Sequence, residues 1–278
     1  MIVVTGATGQ LGRLVVEGLK EKAGADRVVA AVRAPEKAAD LGVEVREAHY
    51  DRPETLKAAF AGAEVVLLIS GTDHGNRVRQ HSAVIDAAKE AGARVVYTSA
   101  PYADTTTAKL VGEHRATETY LRASGVPFTI LRNSWYHENY QASIAHAPQA
   151  GAIFGAAGEG RVASAARADY AAAAVAVLTG EGHTGETYEL SGDTAWSLTE
   201  LAAAISAASG TAVTYTDLPE AEFAKVLAAN GLPEAVAGLL ADVDTHIAQG
   251  WLERTPGTLA ALIGRPTQPI GDYMKTVI

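Results

Sequence analysis

Near the start of the chain stands Thr5-Gly6-Ala7-Thr8-Gly9-Gln10-Leu11-Gly12, with glycines three residues apart. Glycines so spaced let the backbone turn tightly, approach a pyrophosphate and pack a following helix against the preceding strand. A helix opening there aims free amides and about half a positive charge at the phosphates. Gly6, Thr8, Gly9, Gln10, Leu11 and Gly12 are therefore the candidate phosphate-binding residues. Roughly 20 residues further on, a domain selective for NAD carries an acid that accepts from the ribose 2′-hydroxyl. Here that place is Arg33, with Lys37 one helical turn later. An arginine cannot accept that bond, but its fork suits a 2′-phosphate. NADPH is the expected cofactor, with NADH possible; the competing reading of the pair is a solvated basic helix start. Arg13 is a weaker third cation. Asp51 has two readings, a contact to the adenine edge or, preferred, an N-cap before Pro53 and Glu54.

The elements that position these residues follow from periodicity. Short β-branched apolar runs at 2–5, 27–32, 43–47, 64–69, 94–98 and 128–131 alternate with amphipathic stretches at 10–22, 53–61, 76–91 and 112–123. This alternation predicts an α/β fold, a doubly wound parallel sheet of the Rossmann type with helices on both faces. Ile69, Ser70 and Gly71 then close the fourth strand at the carboxyl edge, where such sheets bind ligands. Thr72-Asp73-His74-Gly75 is a polar loop placed to cover the cofactor. After Asn133 the rhythm breaks: 133–160 reads as a loop with a short helix, 168–178 as a helix and 187–190 as a strand. Ser197-Leu198-Thr199-Glu200 is a capping box opening a helix through 208, with further helices near 220–229 and 233–243. The expected division is a dinucleotide domain over 1–154, to which part of 155–192 returns, and a smaller, mostly helical substrate subdomain over 155–278.

Composition narrows the chemistry. The 278 residues include no cysteine, which excludes disulfides, thiolate nucleophiles and cysteine-ligated metal or iron–sulfur sites. Of the eight histidines, His49, His74, His137, His146, His183 and His246 share no metal-ligand spacing, so no metal is expected. With 23 Lys+Arg against 32 Asp+Glu, the net charge of −9 argues against a nucleic-acid partner. The longest apolar run, 171–178, is far below the roughly 20 residues of a membrane span. The N terminus reads at once as a strand, so a cytoplasmic protein without a targeting segment or membrane insertion is expected, as monomer or homodimer.

The glycine loop, Val32-Arg33-Ala34-Pro35-Glu36-Lys37-Ala38 and Leu131-Arg132-Asn133-Ser134-Trp135-Tyr136-His137-Glu138-Asn139-Tyr140 together resemble the NmrA-like group of atypical short-chain dehydrogenases. So do the stretches 80–89, Glu113-His114, Arg167-Ala168-Asp169-Tyr170 and 195–199, and the resemblance covers nearly the whole chain. Within the group, these residues are most similar to bacterial NAD(P)H:quinone oxidoreductases of type 2. Triphenylmethane-dye reductases, which act on another substrate, are also similar to this chain within the group. The resemblance implies a reductase acting on a quinone or a similar flat electrophile.

One departure from short-chain dehydrogenases at large bears on mechanism. Their Tyr-x-x-x-Lys pair would fall on Leu110 and His114, so alcohol–ketone chemistry through a tyrosinate is not expected. A quinone needs less help, because hydride transfer yields an aromatic hydroquinone monoanion. The protein then supplies orientation and a water-poor slot. Trp135 and Tyr136, with Asn133 and Asn139, are the candidate slot: an aromatic wall and amide donors for a carbonyl. His114 and Tyr136 are the candidate catalytic residues, His114 either donating the second proton or, preferred, holding the nicotinamide ribose. Ser99 stands where short-chain dehydrogenases at large carry their catalytic serine and is read as a cofactor contact, with orienting the substrate or capping the following turn as the alternatives. Core packing remains the alternative for Trp135 and Tyr136, a surface helix histidine for His114, and a satisfied buried histidine is preferred for His81. The glycine-rich stretch 155–160 lacks strand–helix context and reads as a loop. NmrA-like relatives also include NAD(P)-binding redox sensors without turnover, and the missing Tyr–Lys pair fits either class.

Overall fold

Four β-branched residues buried on both faces make β1 (Ile2–Thr5), the composition of a central parallel strand. It feeds α1 (Gln10–Ala23), whose Leu11, Val15, Val16 and Leu19 form one buried face. A computed structural model describes residues Met1–Ile278. The chain continues through β2 (Val28–Val32), β3 (Glu44–Glu47), α2 (Pro53–Ala59), β4 (Val65–Leu68), α3 (Arg77–Glu90), β5 (Arg94–Ser99), α4 (Gly112–Ala123) and β6 (Phe128–Asn133). Next come α5 (Gln141–Ala150), β7 (Ala152–Gly155), β8 (Arg161–Val162), α6 (Arg167–Thr179) and β9 (Thr187–Leu190). The last stretch holds β10 (Trp196–Ser197), α7 (Leu198–Ser209), β11 (Thr214–Asp217), α8 (Glu220–Ala229), α9 (Glu234–Ala248), α10 (Thr258–Ile263) and α11 (Ile270–Met274).

Two compact units share these elements. The first comprises Met1–Asp104, Glu113–Asn133 and Arg167–Leu190; the second comprises Thr105–Gly112, Ser134–Ala166 and Ser191–Ile278. The chain thus leaves the first unit after Asn133 rather than after residue 154, and only 167–190 of the later residues return to it.

In the first unit seven parallel strands pair in the order β3-β2-β1-β4-β5-β6-β9, the expected doubly wound sheet. The order reverses between β1 and β4, the switch point beyond which such sheets receive ligands. Val3, Val29, Val66, Val95 and Ile130 pack with Leu56, Phe60, Val84 and Ile85 on one side of the sheet. On the other side α1 lies against the alanine-rich α6. A Cβ on Gly18 would stand 3.0 Å from Val175 Cγ2, so small residues set the spacing of that helix pair.

The second unit has its own core, built on Tyr140, Ile144, Trp196, Leu201, Ile205, Val243 and Ile247. The capping box is present: Glu200 N donates to Ser197 Oγ at 3.2 Å and Ser197 N donates to a Glu200 carboxylate oxygen at 3.0 Å. The segment read as a loop with a short helix contains α5 and the strand β7, and β8 follows directly after it. β7 pairs in parallel with β11 and β8 antiparallel with β10. These strands are only two to four residues long and their partners lie far along the chain, so no local alternation announces them. No helix is long and apolar enough to cross a membrane.

Candidate active site

The glycine loop closes with Gly9 N donating to the Gly6 carbonyl at 2.9 Å, and Gly6 adopts a φ of +60°. A Cβ on Gly12 would lie 2.3 Å from the Gly6 carbonyl oxygen and 2.7 Å from Ala7 Cα. Only a glycine lets α1 begin this close to β1. Gly9 is the N-cap and no side chain fills that cap, which leaves first-turn amides for a ligand. Thr5 ties the floor together. Its Oγ1 donates to the Leu67 carbonyl at 2.9 Å and accepts from Ile69 N at 3.1 Å and from the Tyr50 hydroxyl at 2.6 Å. Burial pushes the Tyr50 hydroxyl up to about 12, against the effect of its bond to Thr5.

A cavity of about 450 Å³ opens over this floor, bordered by Gly6, Thr8 and Gly9 on one side and Ile69, Ser70 and Gly71 on another. Arg33 and Lys37 line it as well. Both are exposed, and neither side chain hydrogen-bonds or ion-pairs within the protein. Of the remaining predicted contacts, Leu11 and Gly12 are buried beneath the loop, and the exposed Gln10 accepts a hydrogen bond from Arg167. Arg13 does not join the cavity cations. Its guanidinium binds Asp40 at 2.7 Å, the Lys37 carbonyl at 2.9 Å and the Thr8 carbonyl at 3.3 Å.

Asp51 lines the cavity and is not a helix cap: Arg52 holds the N-cap of α2, and no side chain caps that helix. Its carboxylate accepts from Arg79 at 2.6 Å and from Gln80 at 3.2 Å. The Arg79 bond, then that of Gln80, holds it below the ordinary carboxylate value. Gln80 Nε2 also donates to Asp73 at 3.0 Å, so one amide spans two acids on the cavity wall. His49, Tyr50, Asp73 and Gln80 line the cavity; Asp73 belongs to the loop expected to cover the cofactor, whereas His49, Tyr50 and Gln80 were not named as site residues. Their signal lay in position only, just beyond β3 and β4 and in the first turn of α3.

The end of β4 is fixed from behind. Ser70 N donates to Thr98 Oγ1 at 3.0 Å, and Ser70 Oγ donates to the Thr98 carbonyl at 2.6 Å. Gly71 N donates to His81 Nε2 at 3.1 Å, while Arg77 Nε donates to the Gly71 carbonyl at 2.8 Å. An Nε2 that accepts puts the His81 proton on Nδ1, which lies 3.1 Å from Thr117 Oγ1. Burial, reinforced by the Arg77 charge, pushes His81 down to about 3. It is a satisfied core histidine. Of the polar loop, Thr72 and Asp73 border the cavity, and Gly75 N donates to the Glu113 carboxylate at 2.9 Å.

His114 is buried in the first turn of α4, not displayed on a helix surface. Its Nδ1 lies 2.8 Å from the Tyr97 hydroxyl. Burial above all, then the charges of Arg77, His81 and His74, keeps its pKa well below the ordinary histidine value. Burial disfavours the imidazolium form, so the side chain stands here as a neutral hydrogen-bonding group. Leu110, the other half of the missing pair, sits in the single 3₁₀ turn Lys109–Val111.

Ser99 does not face the cavity. Its Oγ donates to Glu118 at 2.6 Å within a buried charge network. There Arg132 binds Glu118 through Nε and Nη2 at 3.0 and 2.7 Å, and through Nη1 reaches Glu189 at 2.8 Å and Asp104 at 3.0 Å. Glu189 in turn accepts from Tyr102 N at 3.1 Å. Tyr102 has a φ of +52°, the one positive φ outside glycine, a conformation costing of order 1–3 kcal/mol.

Asn133 ends β6, paired with Leu190. In the second unit, Trp135 is half-buried against that unit's core, and its carbonyl accepts from Ala165 N at 3.1 Å. Tyr136 is half-buried and bridges Ala165, and Asn139 is exposed. Amides in the stretch 155–160 are occupied: Ala156 N donates to Asp244, Ala157 N to Tyr215 and Gly158 N to Asp217, at 2.9 to 3.0 Å. That stretch offers no phosphate cradle. No group of three or more His, Asp or Glu residues is placed to hold a metal.

A glycine turn feeding an uncapped helix, at the switch point of a doubly wound sheet and beside two unpaired cations, defines a dinucleotide-binding α/β protein. The chain belongs to the NAD(P)H-binding family, whose pattern it matches over residues 6–181. It is 48% identical to quinone oxidoreductase 2 of Escherichia coli (strain K12) over 279 residues, spanning 99% of this chain and 98% of that one. The structure of the Escherichia coli NADPH-dependent quinone oxidoreductase complexed with NADPH matches with a TM-score of 0.97 over 99% of both chains, at 48% identity. The triphenylmethane reductase of Citrobacter sp., complexed with NADP(H), matches with a TM-score of 0.96 over 100% of both chains, at 38% identity.

Proposed function

We propose that this protein is an NADPH-dependent reductase that delivers hydride directly to a quinone, without flavin or metal. The observation that carries the cofactor choice is the pair Arg33 and Lys37, exposed on the cavity wall with no protein partner. The residues fit the cofactor in other respects as well. The Gly12 site has no room for a Cβ, the α1 cap is open, and the cavity has the size of a small-molecule site. The 48% identity to the Escherichia coli quinone oxidoreductase supports the acceptor class.

When bound, the nicotinamide supplies the hydride. In this reading Gly6, Thr8, Gly9 and the first-turn amides of α1 hold the pyrophosphate, and Arg33 and Lys37 hold the 2′-phosphate. Asp51 is positioned by Arg79 and Gln80 to accept from the adenine edge. His114, neutral and steadied by Tyr97, holds a ribose hydroxyl. Trp135 and Tyr136 supply the flat wall for the acceptor, with Asn133 and Asn139 as carbonyl donors. No strong acid is required, because the hydroquinone monoanion is stabilised by its own aromaticity.

The likeness to the Citrobacter triphenylmethane reductase favours a second acceptor class, triarylmethane dyes. The decisive assay mixes the purified protein with NADPH and a panel of quinones and dyes and follows loss of nicotinamide absorbance. Turnover with quinones is expected. Tight NADPH binding without turnover on any acceptor overturns the enzyme reading in favour of a sensor.

A further inference from the structure

Among the non-glycine residues, Tyr102 alone has a positive φ, +52°. L residues avoid this region because Cβ crowds the backbone carbonyl, whereas glycine occupies it freely. Tyr102 stands three residues beyond the end of β5, at the carboxyl edge where doubly wound sheets receive ligands. The strand beside β5 is β4, whose end forms a wall of the cofactor cavity, and Ser70 and Thr98 bond the two strand ends together.

The strained turn is held in place from below. Both carboxylate oxygens of Glu189 accept from Tyr102 N, at 3.1 and 3.3 Å. Glu189 is held by Arg132, Arg132 by Glu118, and Glu118 accepts from Ser99 on β5 itself. Burying so many charges carries a desolvation cost. A glycine at position 102 would make the same turn without the strain. A strained aromatic residue, fixed by a buried network at the ligand edge, marks a side chain whose presence there matters more than the ease of the turn.

We propose that Tyr102 is a specificity-determining residue for the acceptor, its half-buried ring offering a flat face to an aromatic acceptor at the carboxyl edge of the sheet. The proposal rests on the quinone-reductase reading given above. It assigns the network of Arg132, Glu118 and Glu189 the task of positioning that ring.

The test uses Tyr102→Asn and Tyr102→Gly, which tolerate the backbone conformation, and Tyr102→Phe, which keeps the ring. KM and kcat for 1,4-benzoquinone and 1,4-naphthoquinone are measured at saturating NADPH, with the NADPH Kd and the Tm of each protein. The Asn and Gly variants should raise the naphthoquinone KM about fivefold, the scale of a lost aromatic contact, and the benzoquinone KM less. Their NADPH Kd should stay at the wild-type value and their Tm should equal or exceed it, while Tyr102→Phe behaves as wild type. Unchanged KM values in an active enzyme reduce Tyr102 to a turn residue and overturn the proposal. So does a KM increase matched by a weaker NADPH Kd, which assigns the turn to the cofactor cavity. A Tyr102→Phe variant as impaired as Tyr102→Asn assigns the hydroxyl and overturns the stacking role. Wild-type protein inactive on both quinones overturns the quinone reading itself, and this inference with it.

Discussion

Arg33 is where a single side chain decides most. It is exposed on the cavity wall and unpaired, so its charge is available in full to a 2′-phosphate. A hydrogen bond to a charged group contributes about 1.5–3 kcal/mol, which corresponds to roughly 10- to 100-fold in affinity. Arg33→Asp should weaken NADPH binding by about that factor and leave NADH binding much less affected. Parallel fluorescence titrations with the two cofactors check this, and an unchanged ratio of affinities defeats the 2′-phosphate assignment. Arg33 was legible in the sequence because a strand end at a known distance from a glycine loop has a fixed place in space. Ser99 stands at a strand end too, yet its hydroxyl is taken by Glu118. Position alone does not say which way a serine turns. Gln80 was illegible for the opposite reason. Its task of spanning Asp51 and Asp73 exists only once two distant loops meet.

At the scale of elements, the junction of β1 and α1 is the least forgiving part of the molecule. A methyl group on Gly12 would meet the backbone at 2.3 Å and has no flexible side chain to push aside. Overpacking of this kind costs typically 1–3 kcal/mol, and here it would also move the amides that face the phosphates. Gly12→Ala is therefore expected to lower Tm by several degrees and to abolish measurable NADPH binding. Calorimetric melting and the same titration check both effects, and wild-type NADPH affinity in the variant contradicts the phosphate-loop geometry. The parallel strands of the first unit were readable because each is a nearly continuous β-branched run between amphipathic helices. So was the opening of α7, where a capping box is a local signal. The strands β7, β8, β10 and β11 are too short for periodicity to register and gain their identity from partners elsewhere in the chain. The break in rhythm after Asn133 was legible, but the division was expected at residue 154 because 134–154 carried no sign of the second unit's core.

For the molecule as a whole, buried neutral histidines tie stability to pH. His81 titrates at about 3 in the folded protein, with burial as the main cause, and His114 lies well below the ordinary histidine value. The unfolded chain takes up these protons near 6.5. Between about 6.5 and 3 it therefore binds more protons than the folded state, and folding stability falls as pH falls through that window. Each such histidine contributes a slope of at most about 1.4 kcal/mol per pH unit. Asp244 acts in the opposite sense: burial raises it to about 6. The stability it confers is full below its unfolded value, near 3.8, and fades as pH rises through about 6. Glu189 is also raised by burial, but a carboxyl starts from an unfolded value of about 4, whereas the two histidines lose stability from about 6.5 downward. A net loss on acidification therefore remains, and Tm should drop by several degrees between pH 7 and pH 5. The variant His81→Gln keeps an acceptor for Gly71 N and cannot be protonated. It should melt below wild type at pH 7 yet lose less on going to pH 5, so that the two melting curves draw together. A wild-type Tm that is flat from pH 7 to pH 5 would show that these histidines are not held neutral by burial. The ribose-holding role of His114 would then lose its basis, because a charged imidazole could serve as the acid after all.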